Sequence, residues 1–182
     1  MIRRLFFRAA WWLEKRMLPE LRSSQYPYAE RVAESVEPES AWLDLGCGHQ
    51  VFGDWMGAEQ KRAVEKARHV VGIDLDFPAM RKHPDIGDMV MGRLEALPFP
   101  DSQFDLVTAN MVVEHIDEAA PVLREIARVL RPNGRFVFHT PNFESPIIAG
   151  MSKVPEWPKR LAVRLLQGRK DEDIFGKAIA GC

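Results

Sequence analysis

The sequence has little cysteine and no marked excess of charge of either sign. Its two cysteines, Cys47 and Cys182, lie far apart, and neither belongs to a pair with disulfide-framework or metal-ligand spacing. With 25 Lys and Arg residues against 26 Asp and Glu residues, the formal net charge is -1. This balance argues against binding of nucleic acid through an overall positive charge. We therefore expect no metal site and no nucleic acid partner.

Long apolar runs are also missing. No segment approaches the roughly 18 apolar residues of a membrane-spanning helix, and Arg8 ends the run Leu5–Phe7 too early for a signal peptide. These absences, together with the low cysteine content, predict a cytoplasmic protein. The length of 182 residues is that of one ordinary α/β domain.

Helical periodicity appears at both ends of the chain. Apolar side chains recur at helical spacing from Ile2 to Met17, where four basic residues lie largely on the other face, and again from Lys159 to Gln167. Such basic amphipathic helices either pack on a domain or lie on an anionic membrane surface, and the sequence leaves both roles open. We divide the chain into an N-terminal helical segment (residues 1–40), a core (residues 41–142) and a helical C-terminal segment (residues 143–182).

Short apolar runs bounded by glycine and aspartate dominate the core. Strands are predicted at Ala41–Leu45, Val70–Ile73, Met89–Met91, Phe104–Ala109 and Arg135–His139, with helices at Tyr28–Val36, within Gly57–Arg68, at Phe77–Lys82 and at Pro121–Leu130. Strands that alternate with helices pair in parallel through right-handed crossovers. The expected fold class is α/β, a doubly wound, mostly parallel, Rossmann-like sheet with helices on both faces.

Acidic residues follow the first two predicted strands. Asp44 precedes Gly46-Cys47-Gly48, and glycines in such a turn allow positive φ and close approach of a ligand to the backbone. Asp74 comes just past the second strand, where a carboxylate accepts hydrogen bonds from ribose hydroxyls. Both features have structural alternatives, since glycine turns are common and Asp74 or Asp76 could cap the helix near Pro78. We expect Asp74 to bind a ligand and Asp76 to cap.

A third segment, Leu94 to Asp101, is a loop held by two prolines that leads into the strand at Phe104. Taken in order with Glu114-His115-Ile116, Leu123-Arg124-Glu125 and Pro132-Asn133-Gly134-Arg135, these motifs resemble the class I S-adenosylmethionine-dependent methyltransferase family, in its methyltransferase type 11 form. The resemblance covers most of the chain, and the joint order and spacing are more specific than any single motif.

The resemblance implies a site for S-adenosyl-L-methionine and methyl transfer to an oxygen, nitrogen or carbon atom of a small-molecule or lipid-like acceptor. The residues implied at the methionine portion are Asp44, Gly46, Cys47 and Gly48. Asn110 would face the methionine portion or the bound acceptor.

At the adenosine portion, the resemblance implies that Asp74 holds the ribose hydroxyls and that Leu75 packs beside the adenine. Leu94 and Glu95 would lie against the adenine edge. Two departures from the family pattern bear on this site: Gln50 replaces a third glycine, which would narrow the pocket, and Arg93 replaces an acid or amide, which would weaken adenine recognition.

A third departure concerns the architecture. The family sheet normally ends in an antiparallel hairpin of strands six and seven, and we find no convincing strand after Asn142. The sequence therefore predicts a sheet without this hairpin, in a chain that is a truncated member of the family.

Two histidines are candidate proton acceptors. The sulfonium already makes the methyl group electrophilic, so the protein chiefly has to hold a nucleophile in line and exclude water. His115 lies just beyond the fourth strand, where an imidazole could accept a proton from the acceptor; it could equally pack at the start of a helix. His139, at the end of the fifth strand, has the same two interpretations.

Two rival functions remain. A nicotinamide-dependent oxidoreductase shares the glycine turn and the acid after the second strand, but its fingerprint needs a glycine where this chain has Val51. A non-catalytic module that keeps the fold is consistent with Gln50, Arg93 and the missing hairpin.

Overall fold

Strands and helices alternate along the folded chain. The computed structural model describes residues 23–140. In chain order the elements are α1 (Gln25–Ser35), β1 (Ala41–Leu45), α2 (Gly57–Lys66), β2 (His69–Asp74), α3 (Phe77–Met80), β3 (Asp88–Met91), β4 (Phe104–Asn110), a 3-10 helix (Val113–His115), α4 (Ala119–Val129) and β5 (Leu130–His139).

The five strands form one parallel sheet in the order β3-β2-β1-β4-β5. The strand order reverses between β1 and β4, and ligands of doubly wound sheets bind at the carboxyl ends of the strands beside such a switch point. The predicted α/β class and parallel sheet are confirmed, and the functional site is expected at this edge.

Apolar side chains alternate between two cores, one on each face of the sheet. On β1, Trp42 packs with Tyr28 and Val32 of α1 and Ala63 of α2. Its neighbours in the sequence point to the opposite face, where Leu43 and Leu45 of β1 pack with three residues of α4: Val122, Ile126 and Val129. Every residue of β1 is buried, as expected for a central strand covered on both faces.

Two details differ from the sequence prediction. Helix α1 begins at Gln25 rather than Tyr28. The turn predicted after α4, at residues 132–134, does not precede the fifth strand. It lies within β5, because Leu130 pairs with Phe104 directly after the helix ends. The next register pair is Leu106 with Arg135, so residues 131–134 form a bulge in β5. The bulge requires glycine at position 134, because a Cβ there would lie 2.9 Å from the Arg131 carbonyl oxygen.

Several predictions fall outside the described residues. These are the helices Ile2–Met17 and Lys159–Gln167, and the region after residue 140 in which the hairpin was expected to be missing. Among residues 23–140, no helix is both long enough and apolar enough to cross a membrane.

Arg128 of α4 holds the loop that connects β3 to β4. Its guanidinium donates hydrogen bonds to the carbonyl oxygens of Leu97 (3.0 Å) and Phe99 (2.7 Å) and to the Asp101 carboxylate (2.8 Å). It also pairs with Glu125, whose carboxylate accepts the backbone N–H of Leu97. The hydrogen bond from Arg128 lowers the pKa of Glu125 to about 2. The proline-rich loop is therefore fixed by a single turn of α4.

We predict that Arg128→Met lowers the melting temperature by several degrees, because two carbonyl oxygens and two carboxylates lose their donor. Arg124→Met, on the exposed side of the same helix, is the matched control and should leave the melting temperature nearly unchanged. Thermal unfolding followed by circular dichroism measures both. Equal effects of the two substitutions would contradict the proposed anchoring role.

Candidate functional site

The glycine turn after β1 has the backbone conformation that its sequence predicts. Gly46 has φ 62° and Gly48 has φ 46°, both in the left-handed region that favours glycine. A side chain on Gly46 would collide with Val112, whereas a Cβ on Gly48 would find no atom nearer than 3.9 Å. Gly48 therefore leaves open space directly beside the end of β2.

The turn lies very close to β2. The backbone N–H of Cys47 donates to the Ile73 carbonyl oxygen at 3.1 Å, and Cys47 is buried. A Cβ placed on Gly72 would lie 2.6 Å from the Cys47 sulfur. Cys47 thus packs beneath the site against Gly72.

The Asp74 carboxylate joins the glycine turn to the end of β2. One oxygen accepts the backbone N–H of Gly48 and the other accepts that of Asp76, each at 2.8 Å. Asp76 itself caps α3 by accepting the Ala79 N–H at 3.0 Å, as predicted. A carboxylate offers about four lone-pair positions, so each Asp74 oxygen keeps capacity for a further donor.

A cavity of about 340 Å³ opens beside Asp74. It brings together six of the predicted site residues: Gly46, Asp74, Leu75, Leu94, Glu95 and His115. Leu75 is 61% exposed and Met111, also at the cavity, is 43% exposed. Exposed apolar side chains flanking a carboxylate are suited to a ligand with a flat apolar ring and hydroxyl groups.

Part of the cavity lining was not predicted from the sequence, namely Gly92, Met111, Val112 and Ile116, and Arg93 was identified only as a departure from the family pattern. Met111 has φ 58° and its N–H donates to the His139 carbonyl oxygen, which turns the chain sharply after β4. Their positions just after β3 and β4 were the available signal, because the carboxyl ends of parallel strands share one edge. Gln50 is not among the residues that line the cavity.

Asp44 lies behind the turn rather than in the cavity. Its side chain is buried and accepts a 2.5 Å hydrogen bond from the Thr108 hydroxyl, which in turn accepts the Trp42 indole N–H at 2.7 Å. Burial raises the pKa of Asp44 to about 7; Thr108 opposes this shift, and the nearby charge of Asp74 adds to it. A nearby positive charge would stabilise the ionised form of Asp44.

Asn110 also lies outside the cavity, in a separate polar cluster at the carboxyl ends of β4 and β5. It exchanges two 3.0 Å hydrogen bonds with the Gln25 amide and donates to the Val51 carbonyl oxygen at 2.8 Å. Its role at the methionine portion stays a prediction, as does the catalytic role of His115, which the 3-10 helix places beside the predicted adenine residues.

A family model described as a methyltransferase domain matches residues 43–138, which is more than half of the chain. The chain belongs to the class I S-adenosylmethionine-dependent methyltransferase family. A relative from Mycolicibacterium smegmatis, named as a probable S-adenosylmethionine-dependent methyltransferase, is 35% identical over 104 residues, which are 55% of this chain and 37% of the relative.

Two further relatives carry more specific names. The fatty-acid O-methyltransferase of Mycolicibacterium smegmatis is 32% identical over 76% of this chain and 48% of its own length. The ubiquinone/menaquinone biosynthesis C-methyltransferase of Vibrio parahaemolyticus is 32% identical over 65% of this chain and 47% of its own length. The chain thus spans less than half the length of these curated relatives.

Solved structures agree on the fold. An S-adenosylmethionine-dependent methyltransferase from Mesorhizobium loti superposes with a TM-score of 0.53 and 27% identity, over 65% of this chain and 54% of that one. The YcgJ protein of Bacillus subtilis gives a TM-score of 0.56 at 22% identity, over 70% and 56% of the two chains. In this chain, Val51 is buried in the core, so the position that a nicotinamide fingerprint reserves for glycine is filled by a packed side chain.

The two glycines should respond differently to alanine. Gly48→Ala should cost only the left-handed backbone strain, about 1–2 kcal/mol in the free energy of unfolding. Gly46→Ala should cost a further ~1–3 kcal/mol, because its methyl group meets Val112. Urea unfolding measures the free energy of unfolding of both variants. In the Gly46→Ala background, Val112→Ala should recover the part of the loss that comes from the contact with Val112. Equal losses for the two single variants would contradict this geometry.

The buried Asp44 predicts a pH dependence of stability. Its pKa is about 7 in the folded state, against 3.8 for an unperturbed aspartate, so the folded state binds the proton more tightly. Protonation of Asp44 therefore stabilises the folded state. This contribution is fully present below pH 3.8 and is lost as the pH rises through 7, which changes the free energy of unfolding by an amount on the order of a few kcal/mol. The free energy of unfolding of the wild type should therefore fall relative to Asp44→Asn across this range. A difference that does not vary with pH would exclude the raised pKa.

Proposed function

We propose that this chain binds S-adenosyl-L-methionine and transfers its methyl group to a small-molecule or lipid-like acceptor. The observation that carries the proposal is the position of Asp74, whose carboxylate is fixed by Gly48 and Asp76 and lines a cavity with exposed apolar side chains. Because one family model matches more than half of the chain, this arrangement is assigned to the cofactor of that family.

The residues present fit the cofactor. Each Asp74 oxygen retains a position for one donor, which matches the two vicinal hydroxyls of a ribose. Leu75 and Leu94 supply apolar contacts for the adenine at the same cavity. The open space at Gly48, which a Cβ would occupy, leaves the backbone accessible to the remainder of the molecule. When bound, the cofactor supplies a methyl group that its sulfonium makes electrophilic.

The acceptor is proposed from the names of relatives. One acts on fatty acids and another belongs to quinone biosynthesis, so lipid-like molecules recur among proteins that share this core. Contact of the basic helix predicted at Ile2–Met17 with an anionic membrane surface belongs to the same proposal, since a lipid-like acceptor would be reached there.

A non-catalytic binding module is the second candidate. Arg93 lines the cavity at a position where the family pattern has an acid or amide, and this observation favours altered adenine recognition. Methyl transfer from labelled S-adenosylmethionine to fractions of a cell extract distinguishes the candidates, because only the enzyme transfers label.

Titration calorimetry tests the cofactor site. The wild type should bind S-adenosylmethionine saturably and show no comparable affinity for NAD. Asp74→Ala should weaken binding by at least about 150-fold, since two hydrogen bonds to a charged group, each worth about 1.5–3 kcal/mol, are lost. Asp88→Ala, which removes an exposed carboxylate at the amino end of β3, is the matched control. Absence of binding by the folded wild type would refute the proposal.

A further inference from the structure

A polar cluster at the carboxyl ends of β4 and β5 lies outside the cavity described above. Asn110 and His139 are register partners in the sheet, and Ser24 and Gln25 reach them from the start of α1. The Asn110 side chain also bonds to the carbonyl oxygen of Val51, in the segment that follows the glycine turn. The cluster therefore lies at the edge of the sheet where the functional site is built.

The hydrogen bonds of Asn110 determine which nitrogen of His139 carries the proton. The Asn110 amide nitrogen donates to the carbonyl oxygens of Val51 and of the Gln25 side chain, so the orientation of the amide group is set. Its oxygen lies 2.9 Å from Nδ1 of His139 and can only accept. Nδ1 therefore carries the hydrogen. The Gln25 amide nitrogen, 3.3 Å from Nδ1, is also a donor, so this contact is not a hydrogen bond in that tautomer.

The other ring nitrogen is left as a hydrogen-bond acceptor. Nε2 of His139 lies 2.9 Å from the Ser24 hydroxyl oxygen, which must donate to it. Partial burial lowers the pKa of His139, Glu114 opposes that shift, and the Tyr28 ring packs against the imidazole at 5.6 Å between centroids. The neutral ring thus presents a lone pair toward the exposed side of the cluster.

The Ser24 side chain indicates that a hydroxyl group fits opposite Nε2 of His139. Ser24 is the N-cap residue of α1, and serine at this position usually accepts a hydrogen bond from a backbone N–H of the first helical turn. Its hydroxyl makes no such capping hydrogen bond here. Ser24 is exposed, so a hydroxyl from outside the chain can take its place without disturbing buried structure.

We propose that His139 is the proton acceptor of the methyl-acceptor site, that its substrates carry a hydroxyl group, and that Asn110 positions its ring. The inference rests on the proposed methyl transfer and narrows it to oxygen. The acceptor hydroxyl takes the place of the Ser24 hydroxyl on Nε2. As the new O–CH₃ bond forms, the hydroxyl proton passes to Nε2, and the electron pair of the broken S–CH₃ bond stays on sulfur. The imidazolium then returns its proton to water.

The test uses the full chain with ¹⁵N-labelled histidine, saturated with S-adenosylhomocysteine, and reads the ring nitrogens by long-range NMR. His139→Gln assigns the signals. At neutral pH, Nε2 of His139 should be unprotonated and Nδ1 protonated, and Asn110→Ala should shift the ring toward the other tautomer. A tautomer that does not respond to Asn110→Ala would overturn the positioning role, since a purely structural contact need not select one.

Two pairs of probes test the acceptor role: p-cresol and 1-octanol, each compared with its methyl ether. Both alcohols should shift the Nε2 resonance of His139, whereas the ethers, which lack a donor, should not. Ser24→Ala should raise the apparent affinity for the alcohols by about two- to tenfold, because the competing hydroxyl is gone.

Failure of this inference can be told apart from failure of the cofactor site. If calorimetry of the same samples shows S-adenosylhomocysteine bound, but the Nε2 resonance is unmoved by both alcohols or moves equally with the ethers, the role of His139 is overturned alone. If S-adenosylhomocysteine does not bind, the proposed function and the inference drawn from it fail together.

Discussion

The close approach of the glycine turn to β2 is the constraint on which the site depends. Gly72 has no side chain, so the Cys47 sulfur can lie where a Cβ would be only 2.6 Å away. This contact lets the turn donate one N–H to Ile73 and another to the Asp74 carboxylate. Any larger residue at position 72 would push the turn away from Asp74, and the carboxylate would lose the hydrogen bond that orients it.

The same edge of the sheet carries two distinct groups of side chains. Asp74 and the cavity beside it lie next to the end of β2, while Asn110 and His139 end β4 and β5. The Val51 carbonyl oxygen connects them, because it belongs to the loop after the glycine turn and accepts a hydrogen bond from Asn110. The proposed cofactor site and the proposed acceptor site are thereby linked through one loop.

Much of the fold was predictable because local patterns encode it. The run at β1 has the bounds Ala41–Leu45 in both sequence and structure, and Asp76 before a proline-containing helix turn was correctly predicted as a cap. The pairing of Asn110 with Gln25 was not predictable, since it joins residues 85 positions apart and depends on where α1 packs. The bulge at Gly134 was missed for a similar reason, because pairing of Leu130 with Phe104 overrides the local turn signal.

The most direct test of the central claim is a crystal structure of the chain with S-adenosylhomocysteine. Our account predicts that the ribose hydroxyls donate to the two Asp74 oxygens, that the adenine lies between Leu75 and the Leu94 segment, and that the glycine turn keeps its contact with Gly72. A ligand bound elsewhere on the sheet, or a turn that has moved away from β2 to admit it, would contradict the account.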